Sequence, residues 1–298
     1  MSSFSPSDNT TPDPPGKAAP KGTYRASPRP TFAGPTHITA QSAVRHIWGD
    51  PTSGEVADWI YVSSQYIHAL VFELEPHGWF RHSADHRTVF AADELLYVLE
   101  GVMAIANPET GEVCRVEAGD SVFFRRDTWH HAFAHGEGPL RVLELFAPPP
   151  ATGSSGAYAQ TRPYLADARY GQDERLGHLA PAVAAPGTLH RLDRGDIVWR
   201  RDLDVLIGLH ASTEHLTAGV VEVDPGQTAR AHAHGGDEIF YVTEGEVTIR
   251  AWQSEQVSVF ELRAHEACYL PAGCRHEYRN FGARSARAVF GVAPTWLP

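Results

Sequence analysis

Histidine and carboxylate spacing is where this sequence first suggests chemistry. His232 and His234 lie two residues apart, Glu238 follows after three more, and His276 comes after the turn Pro271-Ala272-Gly273. Residues two apart on a strand point to the same side. The Gly235-Gly236-Asp237 turn then returns Glu238 on the neighbouring strand. The Pro-x-Gly turn can aim His276 inward. Three imidazoles and one carboxylate converging inside a barrel match the ligand set of a borderline divalent metal. Without a metal, four such groups buried together would be costly.

Strand parity adds further candidates. Arg230 shares the face of His232 and His234. If buried it needs an anionic partner, either a substrate carboxylate or enolate or a neighbouring acid. Tyr278 and Asn280 share parity with His276, and Tyr278 could donate to a substrate oxygen or pack at the barrel mouth. Phe240 and Val242 share parity with Glu238 and would form an apolar wall. Cys268 and Cys274 flank the Pro-x-Gly turn and read as small buried hydrophobes.

The rest of the composition removes competing chemistries. Lysine occurs only at positions 17 and 21, near the N-terminus, so Schiff-base, pyridoxal phosphate and P-loop chemistry have no candidate in the fold. No G-x-S-x-G elbow and no strand-borne G-x-G-x-x-G is present. Three cysteines without a CxxC pair argue against structural disulfides. A net charge of −11 argues against a nucleic-acid or anionic-membrane surface. With no apolar run of membrane length and no signal-like start, the chain is expected to be cytoplasmic.

The elements that would position these residues are strands. Residues 1–36 read as a disordered Pro/Ser-rich tail. From His37 onward, short stretches rich in Val, Ile, Tyr and Phe alternate with Gly, Asp and Pro; Trp59–Val62, Leu95–Leu99 and Leu140–Phe146 are examples. Residues 151–187 read as a linker with one short helix around Pro163–Ala168, and strand-like text resumes at Thr188. Two blocks, 37–150 and 188–298, are alike. Asp93-Glu94-Leu95-Leu96-Tyr97-Val98-Leu99-Glu100-Gly101 mirrors Asp237-Glu238-Ile239-Phe240-Tyr241-Val242-Thr243-Glu244-Gly245, and Trp129-His130 falls opposite Arg275-His276 at nearly the same offset. A duplicated all-β unit, as a barrel or jelly roll, is expected.

The second block resembles the cupin superfamily, whose motifs run G-x5-H-x-H-x3-E-x6-G and G-x5-P-x-G-x2-H-x3-N. Gly226, His232, His234, Glu238, Gly245, Pro271, Gly273, His276 and Asn280 occupy the fixed positions, and only the opening glycine of the second motif is replaced, by His265. The resemblance covers both blocks and implies an all-β protein of two tandem cupin barrels (double-stranded β-helix or jelly-roll), a bicupin. In metal-binding cupins the three His and the Glu are ligands, which carries over to His232, His234, Glu238 and His276.

The first block departs from the motif. Glu94, Gly101, Gly119 and His130 are in place, but Thr88 and Phe90 stand opposite His232 and His234, while Arg125, Asp127 and Ala134 replace Pro, Gly and Asn. His86 has the right parity yet lies two residues away, about 6.6 Å along a strand and too far for a bond of roughly 2.1 Å; His82 is farther. A metal-free first barrel is therefore expected, with Glu94 and His130 as a buried hydrogen-bonded pair. A second metal site at His86, Glu94 and His130 would require a register change.

Four ligands on a six-coordinate metal leave about two positions open for substrate and water or O₂. The expected function is a dioxygenase using one Fe(II), Mn(II) or Ni(II) ion, with Zn and Cu as alternatives, on a small enolisable or phenolic anion. Arg230 would stabilise that anion, and Glu238 would serve as both ligand and proton shuttle. A non-oxidative decarboxylase or isomerase with the same ligands is the alternative, and a small-molecule binding module without turnover is the third reading. Exposed sheet edges would allow a homodimer.

Overall fold

A computed structural model describes residues 27–150, 156–171, 187–202 and 204–298. Two β-barrels follow one another, each closed from a large and a small sheet. In the first, a seven-stranded sheet runs His190–Leu192, Ser121–Phe124, Asp93–Glu100, Leu140–Ala147, His68–Leu74, Gly54–Ser63, Val44–Asp50. A four-stranded sheet built on His131–Ala134 and Val102–Ala106 faces it. In the second, Thr36–Ile38, Ala267–Leu270, Asp237–Glu244, Ala286–Ala293, Thr217–Val223, Val205–Ser212 and Val198–Asp202 form the large sheet. Gln256–Arg263, Glu246–Gln253 and Arg275–Arg279 form the small one.

The unbroken apolar text of the central strands has a physical cause. The central strands of each large sheet are buried on both faces. On Asp237–Glu244, Phe240 and Val242 enter the second barrel's own core, whereas Ile239 and Tyr241 pack into a core shared with Tyr61, Leu95, Tyr97 and Val71 of the first barrel. Tyr61 and Tyr241 meet edge to face across this seam with ring centroids 5.4 Å apart. Burial of such aromatic pairs contributes roughly 0.5–1.5 kcal/mol beyond their area.

The two halves also exchange edge strands. Thr36–Ile38 pairs with Ala267–Leu270 of the second barrel, and His190–Leu192 pairs with Ser121–Phe124 of the first. The block limits at 37 and 188 therefore do not separate the sheets, because each sheet's exposed edge is covered by chain from the other side. Part of the expected disordered tail is also ordered: Arg29 donates to Ser63 Oγ and Ser64 O, and Ser63 N donates to Pro30 O. Residues 1–26, 151–155 and 172–186 lie outside the described residues.

No helix forms at Pro163–Ala168; single turns occur at Gly156–Ala159 and Arg169–Gly171. Carbonyls that a helix would use are taken by side chains instead. Arg162 O accepts from Arg87, and Leu165 O accepts from His82 Nε2. No helix among the described residues is long and apolar enough to cross a membrane.

Candidate metal centre

The second barrel gathers His232, His234, Glu238 and His276 so that one ligand atom from each lies within 4.8 Å of the others. His232 and His234 sit in an extended segment before the large sheet. It is held by mutual backbone bonds between His232 and His276 rather than by a full hairpin. Gly236 lets this segment turn against the Ala293–Pro294 backbone, where any Cβ would collide with the Ala293 carbonyl. Asp237 fixes the turn, accepting from Tyr269 Oη and Ala272 N.

Three main-chain carbonyls orient the imidazoles. His232 Nδ1 donates to Arg230 O at 2.8 Å, His234 Nδ1 to Trp296 O at 2.7 Å, and His276 Nδ1 to Cys274 O at 2.9 Å. A carbonyl can only accept, so each ring carries its proton on Nδ1 and turns Nε2 toward the common centre. His232 Nε2, His234 Nε2 and Glu238 Oε2 are buried there with no hydrogen-bond partner among the described residues. Orphaned buried atoms of this kind are expensive, and all three are metal-ligating atoms. The residues present fit a divalent metal.

Burial holds His232 at about 4 and lowers His234, so both rings are uncharged at neutral pH, the form that can ligate a metal. Burial alone would raise Glu238, but the surrounding imidazoles outweigh it and hold its carboxyl at about 2. Tyr278 donates to Glu238 Oε1, and the Phe240 ring stacks behind Tyr278 with centroids 4.4 Å apart. Trp296 lies against His234 with centroids 4.0 Å apart. His232 is the one ligand not fully buried, so the approach from solvent is on its side.

Two expected neighbours are not brought to the centre. Arg230 turns to solvent, with 72% of its side chain exposed, and pairs with Asp204 at 2.8 Å. Away from a regular strand, parity does not govern its direction. Asn280 is buried but closes a turn: its Nδ2 donates to Val223 O and Arg284 O, and its Oδ1 accepts from Gly282 N. Sequence reasoning missed Trp296, which no spacing marks.

In the first barrel Thr88 O accepts from His130 N, the counterpart of the His232–His276 backbone pairing. Thr88 and Phe90 therefore stand where the first two imidazoles would be. His86 binds Asp50 Oδ2 at 2.9 Å, and His82 binds His131 and Leu165 O, so neither reaches Glu94. Glu94 and His130 are both buried but 3.8 Å apart, too far for the expected hydrogen bond. A residue not foreseen, Glu144, joins them within 4.8 Å. Its signal was legible as a lone acid in the apolar strand Leu140–Ala147.

Comparison with known proteins agrees with this architecture. A family model described as Cupin domain matches residues 70–146 and again 219–292. A curated relative, a protein named polyketide synthase CurC from Streptomyces cyaneus, is 32% identical over 77 residues, covering 26% of this chain and 47% of that protein. The match thus spans about half the length of that relative. Among solved structures, an oxalate decarboxylase of Bacillus subtilis superposes with a TM-score of 0.61 at 14% identity, covering 89% of this chain and 78% of that one. AerE from Microcystis aeruginosa gives 0.58 at 9% identity over 84% and 97%. Vicilin from hazelnut, Corylus avellana, gives 0.58 at 13% over 87% and 85%. At these identities the structural likeness is one of fold.

Proposed function

Since the chain belongs to the cupin domain family, matched once in each barrel, we propose that it is a metal-dependent bicupin enzyme whose second barrel oxidises a small enolisable or phenolic molecule with O₂. The observation that carries this reading is the set of orphaned ligand atoms, His232 Nε2, His234 Nε2 and Glu238 Oε2, aimed with His276 at one buried point. A divalent metal held by these four residues supplies a Lewis acid with coordination positions left for substrate and O₂.

The chain's own residues determine what reaches that point. Tyr278 and Phe240 close the centre from behind, and Trp296 covers the His234 side. Substrate therefore enters past His232. With Arg230 paired to Asp204, it is not available to balance a substrate dianion. A substrate that arrives neutral and ionises at one enol or phenol oxygen suits such a site better. Glu238 is the carboxylate of the cluster and would accept the proton released. The curated relative's name adds weight, because the β-dicarbonyl units of polyketides enolise.

The non-oxidative alternative, decarboxylation with the same ligands, draws on the fold shared with oxalate decarboxylase. Oxygen uptake separates the two. Protein loaded with Fe(II), Mn(II) or Ni(II) should consume O₂ with catechols or β-diketones and release no CO₂ from oxalate. CO₂ release from oxalate without net O₂ consumption would replace the dioxygenase reading with the decarboxylase.

A further inference from the structure

The interior of the first barrel contains a mainly apolar cavity of its own, with polar groups set into its wall. Phe72, Phe80, Phe90 and Phe146 wall it, and Asp58, His68, Thr88, His130 and Glu144 line it among them. Its free volume is about 80 Å³, the space of several water molecules or one small ring. Arg29 and Ser63 border it as well, and they are hydrogen-bonded to each other.

The sheet registers show that these polar groups are departures from the other barrel. Glu144 pairs with Leu70 and Leu96; the corresponding residue between Gly219 and Phe240 is Phe290. Asp58, opposite Phe72, corresponds to Ile207 opposite Val221. His68, opposite Phe146, corresponds to Thr217 opposite Val292. Ala132 corresponds to Tyr278, which removes a phenol and opens space. Compared with the second barrel, the first lacks two imidazoles and a tyrosine and carries two acids and a histidine elsewhere on its inner wall.

Buried polar groups are costly unless something partners them. His68 Nδ1 and Thr88 Oγ1 are buried without a hydrogen-bond partner among the described residues, on side chains that line the cavity. Glu94 and Glu144 lie close together with no arginine or lysine ion pair to either among the described residues. Burial pushes both carboxyls well up, helped at Glu94 by Glu144 and Asp93 and at Glu144 by Asp58, which favours the neutral form that donates as well as accepts. Burial lowers His68 to about 3 and His130 to about 4, leaving both rings uncharged. Inside the Arg29 border the wall therefore offers aromatic faces and neutral donors and acceptors, and a ring hydroxyl combines an aromatic face with a group that both donates and accepts.

We propose that the first barrel is a metal-independent binding site for an uncharged, single-ring hydroxylated aromatic molecule, its ring between Phe80, Phe90 and Phe146 and its hydroxyls on Glu144, His68 and Thr88. The proposal does not depend on the reading of the second barrel.

Titration calorimetry with resorcinol as probe tests it on the full chain. One saturable site per chain is expected, unchanged by His276→Ala. Glu144→Phe restores the side chain of the other barrel, fills the cavity and should weaken binding by about tenfold or more. Glu144→Gln keeps a neutral donor and acceptor in place, so its affinity should stay within about threefold, which also distinguishes loss of the site from loss of the fold. Benzoate and benzylammonium, single rings bearing a charge, should bind about tenfold more weakly. Absence of saturable resorcinol binding would overturn the proposal, as would its loss in His276→Ala. A collapse of affinity in Glu144→Gln or a preference for benzylammonium would show a charged carboxylate instead. A Glu144-dependent equivalent of Mn²⁺ or Zn²⁺ would make the cavity a metal site and likewise overturn the proposal.

Discussion

Tyr278 donates its hydroxyl proton to Glu238 Oε1, and the phenol oxygen itself lies 3.0 Å from His276 Nε2. The phenol thus fixes Glu238 through Oε1 and leaves Oε2 turned toward the centre. Groups that orient ligands in this way typically contribute tenfold or more to metal affinity.

Tyr278→Phe should therefore keep the fold, since the ring still stacks on Phe240, while metal affinity drops by roughly 10–100-fold. Competition with a chelator of known affinity reads this directly. An unchanged affinity would mean that Tyr278 merely packs.

Gly236→Ala addresses the loop that carries His232 and His234. The added methyl meets the Ala293 carbonyl, so the variant should lose about 1–3 kcal/mol of stability and bind metal more weakly. Gly138, with open space around it, is the control, and Gly138→Ala should leave both properties unchanged. Equal behaviour of the two variants in thermal melts would contradict the account.

Arg230→Ala should leave metal content and turnover unchanged, because the guanidinium is exposed and bound to Asp204. A loss of turnover with metal retained would restore the sequence-based role of Arg230 as an anion partner.

Stability should depend on pH with opposite signs in two groups of residues. Burial holds His210 at about 4, below its ordinary value of 6.5, with His210 Nδ1 2.7 Å from Ser121 Oγ of the other barrel. Its contribution is full above 6.5 and is lost as pH falls toward 4. His210→Gln should flatten the melting temperature across that window. Glu94 and Glu144, raised by burial, act the other way: their contribution is full below the ordinary value of 4.5 and is lost as pH rises through their raised values. Glu144→Gln should therefore gain on the wild type as pH increases. Melting curves in which either variant runs parallel to the wild type would contradict these assignments.

The candidate ligand set was legible because His232, His234, Glu238 and His276 sit at fixed spacings, and strand parity puts Phe240 and Val242 on one face of a regular strand, which packs into the second barrel's core. Parity failed for Arg230 because that segment is held by isolated bridges rather than a ladder. Trp296 was illegible because its role rests on a carbonyl and a ring contact made across the fold. Glu144, Asp58 and His68 each interrupt an apolar strand, a visible signal, but only the pairing registers show that they face one cavity. The edge-strand exchange by Thr36–Ile38 and His190–Leu192 leaves no mark in three-residue stretches.

The most direct test of the central claim is metal content per chain, measured by elemental mass spectrometry on untagged protein. The account predicts about one equivalent of a divalent transition metal, lost in His276→Ala and retained in Glu144→Gln. Protein that binds no metal after reconstitution, or that keeps its metal in His276→Ala, would contradict it.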